Sequence, residues 1–117
     1  MEIRNREEQE PFTTKDGSTI RSLLDLSNAP VREQSLAEAT LSKGGSTERH
    51  YHKLSEELYY LLEGRGTMEI DGETREVRPG DAILIPPGAW HEIKATEKVR
   101  FLCCCAPPYS NEDTYFE

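Results

Sequence analysis

The sequence predicts an all-β domain, a sandwich or barrel of short strands with little or no helix. Turn signals rich in Gly, Pro, Asn and Asp recur along the chain at the spacing typical of such folds, about eight to twelve residues. They are Lys15-Asp16-Gly17-Ser18, Ser27-Asn28-Ala29-Pro30, Lys43-Gly44-Gly45-Ser46, Asp71-Gly72 and Arg78-Pro79-Gly80-Asp81. A chain of 117 residues fits one domain, with a core over about residues 12–106 and a peripheral arm at each end.

Seven β-compatible runs lie between these turns, at 18–26, 35–41, 57–62, 67–70, 74–77, 82–85 and 99–106. Residues 68–77 indicate a tight hairpin closed at Asp71-Gly72, because this dipeptide tolerates positive φ. The run around 35–41 also has helical propensity. We predict a strand there, because the run is short, lies between turns and places Ala37, Ala39 and Leu41 on one face.

Two runs are apolar on both faces. In ELYYLL, Tyr59 and Leu61 face one way and Leu58, Tyr60 and Leu62 the other, and FLCCC behaves similarly. A strand of this kind usually has both faces covered. Because a lone small sandwich leaves its outer faces wet, we expect a second subunit and predict a homodimer.

The composition excludes several function classes. No apolar run is long enough to cross a membrane, and the charged N-terminus does not resemble a secretory signal, so we expect a cytoplasmic protein without membrane partners. A net charge of -8 argues against nucleic-acid binding. The consecutive Cys103, Cys104 and Cys105 suit free thiols in a reducing compartment.

The three histidines suggest a metal site. His50 and His52 are spaced so that both imidazoles project from one face of a strand. A hairpin would return Glu56 or Glu57 beside them, and His91 follows the rigid turn PPGAW. Three imidazoles and one carboxylate suit a divalent first-row metal, although a His-x-His pair alone can also arise by chance on an exposed hairpin.

The spacing of these residues resembles the first motif of the cupin family. Gly44, His50, His52, Glu57 and Gly64 match it, with four residues between His52 and Glu57 and six between Glu57 and Gly64. This register selects Glu57 rather than Glu56.

The second cupin motif is matched by Gly80, Pro86, Gly88 and His91. Fifteen residues separate Gly64 from Gly80, the compact spacing of short members. Ala95 stands where the pattern has Asn, a position that shapes a turn rather than binding metal.

The resemblance implies a double-stranded β-helix, or jelly roll, that holds one divalent transition metal per chain (Mn, Fe, Ni, Zn or Cu) on His50, His52, Glu57 and His91. Four protein ligands leave positions open for exchange, which suits catalysis or small-molecule binding. We therefore expect a metal-dependent enzyme acting on a small polar or anionic molecule, of the dioxygenase or sugar/keto-acid isomerase type. A non-catalytic binding or sensor module is the alternative, and a structural dimer stapled by metal is a third hypothesis.

Further pocket residues follow from strand parity and from similarity to small cupins. That similarity favours Phe101, Cys103 and Cys105 as lumen residues, rather than Leu102 and Cys104. Tyr59 shares the parity of Glu57, so its hydroxyl is a candidate catalytic group, or else the ring is part of the wall. Four further residues could bind a substrate carboxylate or remain solvated: Arg21, Arg32, Gln34 and Arg49. We expect Trp90 to be a packing or rim residue. We expect the tail, residues 107–117, to wrap a partner, close the mouth of the barrel or fray.

Overall fold

The computed structural model describes all residues, 1–117, and consists of eleven strands with two short 3-10 turns. The strands are β1 (Phe12–Thr13), β2 (Thr19–Leu24), β3 (Ser35–Leu41), β4 (His50–His52), β5 (Glu56–Glu63), β6 (Gly66–Ile70), β7 (Glu73–Val77), β8 (Ala82–Ile85), β9 (His91–Ala95), β10 (Val99–Ala106) and β11 (Thr114–Phe116). The 3-10 turns are Arg6–Glu8 and Asn111–Asp113.

The strands form two antiparallel sheets. One has the order β1-β2-β3-β10-β5-β8 and the other β11-β4-β9-β6-β7. From β3 to β11 the chain crosses between the sheets at every connection except the β6–β7 hairpin, which is the jelly-roll arrangement. The prediction of an all-β jelly roll with almost no helix is confirmed. The structure contains no helix long and apolar enough to span a membrane.

All seven predicted runs contain strands, including residues 35–41, which pair along β10 over the whole of β3. The hairpin between β6 and β7 turns at Asp71-Gly72, where both residues have positive φ. The sequence analysis missed the two-residue β1 as well as β9 and β11. In β9 the inward residues His91, Ile93 and Ala95 alternate with Glu92 and Lys94, but the histidine hides the pattern from a count of apolar residues.

Apolar side chains of both sheets fill the space between them. Leu61, Ile85 and Phe101 from the six-stranded sheet meet Ile93 from the five-stranded sheet, and each is at most 1% exposed. Beside Phe101 this packing stops, and the remaining interior is a cavity. The core therefore supports one wall of the cavity.

The N-terminal arm lies against the outer face of the six-stranded sheet. Arg6 binds the buried carboxylate of Glu38 on β3, and Arg100 binds the same carboxylate from β10. Arg21 donates to the backbone carbonyls of Arg6 and Gln9. Arg21 therefore holds the arm and does not face the lumen. The expectation that it could bind a substrate carboxylate is wrong.

Gly64 provides a test of how closely β5, β6 and β10 must approach. It has φ +81°, and a Cβ at this position would lie 1.9 Å from the Lys98 carbonyl oxygen. Gly72 has φ +90°, but nothing lies within 4 Å of a Cβ there. We expect Gly72→Ala to cost about 1 kcal/mol of unfolding free energy from the positive φ alone. Gly64→Ala should cost more than about 3 kcal/mol or prevent folding, because backbone must also move.

Urea unfolding of both variants measures this difference. Similar unfolding free energies for the two alanine variants would contradict the close approach at Gly64.

Candidate metal centre

Four buried side chains from the two sheets meet in the lumen. His50 and His52 lie on β4, His91 lies opposite His50 on β9, and Glu57 reaches across from β5 of the other sheet. None of the four is more than 4% exposed. Glu56, the neighbouring carboxylate, points outward and is exposed. The β5 register therefore brings only Glu57 to the histidines.

The facing atoms are closely spaced. A nitrogen from each of His50, His52 and His91 can be chosen so that the three lie within 4.8 Å of one another. Oε1 of Glu57 lies 3.3 Å from Nε2 of His52 and 3.5 Å from Nε2 of His91. This is the arrangement needed for several donors to reach one small cation.

Backbone carbonyls fix the orientation of each imidazole. Nδ1 lies 2.6 Å from the Glu48 carbonyl in His50, 3.3 Å from that of Asp113 in His52, and 3.0 Å from that of Ala89 in His91. A carbonyl only accepts hydrogen bonds, so each Nδ1 carries the proton in the neutral ring. Each Nε2 then presents a lone pair, as in metal-binding histidines.

The centre requires positive charge. With Nε2 unprotonated, lone pairs of the histidines face a carboxylate, and both Oε1 of Glu57 and Nε2 of His91 are buried without a hydrogen-bond partner. A proton or a metal cation between them removes this repulsion. Three imidazoles and one carboxylate form a donor set that fits a divalent first-row metal.

The pKa shifts agree with this requirement. Burial tends to raise the pKa of Glu57, but its contacts with His52 and His91 outweigh burial and hold the pKa well below its usual range. For His52, burial lowers the pKa, while Glu57 more than compensates and leaves the pKa raised. Burial, with His91 nearby, lowers the pKa of His50. The carboxylate therefore stays charged and stabilises positive charge beside it.

A cavity of about 450 Å³ opens beside His50, His52 and Glu57. The structure places Tyr59, Phe101, Cys103 and Cys105 on its wall. Burial, and then the charge of Glu57, raises the pKa of Tyr59 and of both thiols, so these groups are neutral at physiological pH. They can donate a hydrogen bond, but they are poor acids, poor bases and poor nucleophiles.

Cys105 also contacts the carboxylate directly, since its Sγ donates a hydrogen bond to Oε2 of Glu57 at 3.3 Å. The two residues lie opposite each other on β10 and β5. This bond occupies Oε2 and leaves Oε1 facing the histidines. Similarity to small cupins indicated that Cys105 faces the lumen, but this contact with Glu57 was missed.

The C-terminal tail closes one side of the cavity. Strand β11 pairs with β4 of the same chain, and Tyr109 to Glu112 and Thr114 line the mouth. The Asp113 carboxylate accepts backbone N–H groups of Lys53, Leu54 and Ser55. Of the expectations for the tail, closing the mouth is the one observed. The tail also orients His52 through the Asp113 carbonyl.

The other residues expected to bind a substrate carboxylate lie elsewhere. Arg49 binds Glu69 and Glu117 and lies 5.2 Å from the Trp90 ring. Arg32 and Gln34 are exposed and do not line the cavity. Trp90 packs against Tyr51 on the outer side of β4, as expected for a packing residue.

Comparisons with known proteins agree with this architecture. A family model described as a cupin domain matches residues 37–105. An uncharacterized protein of Methanocaldococcus jannaschii, MJ1618, is 51% identical over 106 residues, which cover 89% of this chain and 85% of the relative. The polyketide synthase protein CurC of Streptomyces cyaneus is 32% identical over 68% of this chain, which spans only 52% of CurC.

Among solved structures, the polyketide cyclase RemF of Streptomyces resistomycificus superposes with a TM-score of 0.79 at 30% identity, over 97% of this chain and 89% of RemF. The residues matched by the family model include both histidine motifs and Glu57. The chain belongs to the cupin family.

Proposed function

We propose that this cupin is a divalent-metal-dependent enzyme acting on a small oxygen-bearing organic molecule, with the metal bound by His50, His52, His91 and Glu57. The observation that carries the proposal is the meeting of Nε2 of His91 and Oε1 of Glu57, both buried and unpartnered, beside a cavity of about 450 Å³. A structural metal site would have no use for such a space.

The metal would supply a Lewis acid with positions left for a substrate oxygen, because four donors do not fill six coordination sites. Glu57 contributes the one negative charge among the four ligands. Cys105 orients Glu57 by its hydrogen bond to Oε2. Tyr59, a neutral phenol in the wall, would donate a hydrogen bond to a substrate oxygen.

The reaction would be of the oxygenase or the isomerase type. In both, the metal would supply a Lewis acid for a hydroxy-carbonyl or enol oxygen and would stabilise the negative charge that develops on the substrate. RemF, a polyketide cyclase by name, and CurC, a polyketide synthase protein, favour carbonyl-rich substrates for this chain as well.

A binding or sensor module without turnover is the second candidate. It is favoured by the raised pKa values of Tyr59 and both lumen thiols and by the lack of a lysine or a fourth histidine on the cavity wall, which leave only carboxylates to accept a proton.

Metal content tests the ligand set. We expect about one divalent metal per chain, and we expect Glu57→Gln to weaken its binding at least about tenfold, because the only anionic ligand is lost. Glu56→Gln is the matched control, since it removes the same charge from the adjacent exposed residue. Elemental analysis after dialysis against a graded chelator series measures both, and equal retention would contradict the assignment of Glu57.

Turnover separates the two candidate functions. Protein loaded with Fe(II) or Mn(II) is incubated with diketones, hydroxyketones and phenols, with and without oxygen. Consumption of oxygen and substrate together supports an oxygenase, and rearrangement without oxygen supports an isomerase. Metal-loaded protein that binds members of the panel but converts none under either condition contradicts the enzyme proposal and supports a binding module.

We also propose that the chain forms a homodimer through the outer face of β5 and β8. Leu58, Tyr60 and Leu84 are each about half exposed on this face, at 48%, 46% and 55%. Leu58 lies opposite Leu84, and on its other side opposite Cys104 of β10, so the apolar surface is continuous over three strands. Contiguous exposed apolar surface of this kind marks an interaction site.

The oligomeric state in solution tests this proposal. Leu84→Asp should convert a dimer to a monomer in sedimentation velocity, because a charge would be buried in the interface. Leu54→Asp is the control, since Leu54 is 65% exposed but lies in the turn after β4. A monomeric wild-type chain, or an equal effect of both substitutions, would rule out this interface.

A further inference from the structure

Negatively charged side chains predominate on the cavity wall. Its polar members include the carboxylates of Asp16, Asp25, Glu57 and Glu112, but no lysine or arginine. Every candidate cation predicted from the sequence lies outside it. The remaining wall is largely apolar or hydroxylated. Apart from a bound metal, nothing in the cavity compensates the charge of an anionic ligand.

Asp16 is the second carboxylate at the centre. It belongs to the loop between β1 and β2, and its Oδ2 lies 3.8 Å from Nε2 of His50, the nitrogen that faces the metal position. The side chain is only 17% exposed. Sequence reasoning identified this residue only as part of a turn.

The loop holds Asp16 in one orientation. Oδ1 accepts hydrogen bonds from the Thr14 hydroxyl at 2.6 Å, the Ser18 hydroxyl at 2.7 Å and the Ser18 backbone N–H at 2.9 Å. The Asp16 carbonyl accepts the Glu48 N–H at 2.7 Å, which ties the loop to the segment before β4. Oδ1 is therefore saturated, whereas Oδ2 accepts no hydrogen bond from the chain and lies free on the cavity side.

We propose that Asp16 is a specificity-determining residue that makes this site select neutral, hydroxyl-bearing ligands over carboxylates. This inference rests on the proposed function, because it takes the metal on His50 as the point where the ligand binds. It narrows the expected polar or anionic substrate to the neutral class. A hydroxyl on the ligand donates to Oδ2, while the apolar wall around Ile20 and Phe101 receives its hydrocarbon part.

The charges explain the selectivity. A carboxylate ligand would gain from the metal but would lie close to the fixed negative charge of Asp16 in a poorly solvated space. A neutral hydroxyketone would bind the metal through its carbonyl and hydroxyl oxygens and avoid this repulsion. A hydroxyl beside the carbonyl can donate to Oδ2 in a hydroxyketone and in a hydroxy acid alike, so the fixed charge of Asp16 rather than this hydrogen bond separates the two classes.

Two matched probes test the inference. Mandelate and 2-hydroxyacetophenone each carry a phenyl ring and two oxygens spaced for chelation, but only mandelate is an anion. Their dissociation constants for Co(II)-loaded protein are measured by visible absorption and by calorimetry. Wild type, Asp16→Asn, Asp16→Ser and Glu33→Gln are compared at equal metal content. Asn and Ser can keep the hydrogen bonds of the turn, so these variants preserve the loop.

The measured quantity is the ratio of the mandelate constant to the hydroxyketone constant. We expect Asp16→Asn to lower this ratio about tenfold or more, because the amide Nδ2 attracts a carboxylate where Oδ2 repelled it. Asp16→Ser should lower it in the same direction. Glu33→Gln should leave it within about twofold, because this residue is exposed and outside the cavity, so solvent screens its charge.

A ratio that stays constant in both Asp16 variants, with metal bound, overturns the inference and leaves the metal site standing. This includes the case in which both dissociation constants change by the same factor, which would show that Asp16 only shapes the loop. Failure of the wild-type protein to bind Co(II) or another divalent metal overturns the proposed function, and the inference with it.

Discussion

The structure depends on keeping one carboxylate and three imidazoles together beside the apolar core of the barrel. Burying these groups is unfavourable unless each is oriented and neutralised. Three backbone carbonyls orient the imidazoles, and the Cys105 thiol orients Glu57. What remains are lone pairs and a negative charge that face one another, so the centre needs a proton or a metal cation between them. The fold therefore keeps the buried negative charge of Glu57, which a purely apolar core would not contain.

This constraint links parts of the chain that are far apart in sequence. The carbonyls that hold His50 and His91 come from residues two positions away on their own segments, whereas the one that holds His52 comes from Asp113 in the tail. The tail is held in turn by three backbone N–H groups that meet the Asp113 carboxylate. A segment that looks like a free terminus in the sequence thus controls the orientation of a candidate ligand and forms part of the cavity mouth.

The sequence predicted the fold well because the features that determine it are local. Turn dipeptides, alternation and the two motif spacings each lie within a short window, and they located seven strands as well as the side of β5 that Glu57 faces. Apart from β9, where a histidine hides the alternation, the main failures concern contacts between distant segments. The tail has no alternating apolar pattern, so β11 could not be recognised. The partners of Arg21 and Arg49 come from distant segments that pack on the outside of the sheets. Asp16 was recognised as part of a turn, but only the packed hairpins bring that turn to His50.

Strand parity explains why the functional residues come as a set. On β5, the register that turns Glu57 inward also turns Tyr59 inward, and pairing with β10 places Cys105 and Cys103 opposite them. A slip of one residue would exchange all of these side chains for the outer face. The outward residues of the same strand, Leu58 and Tyr60, form the apolar surface proposed for the dimer. Covering that surface would hold β5 in register from outside, so subunit contact and the geometry at Glu57 would depend on the same eight-residue strand.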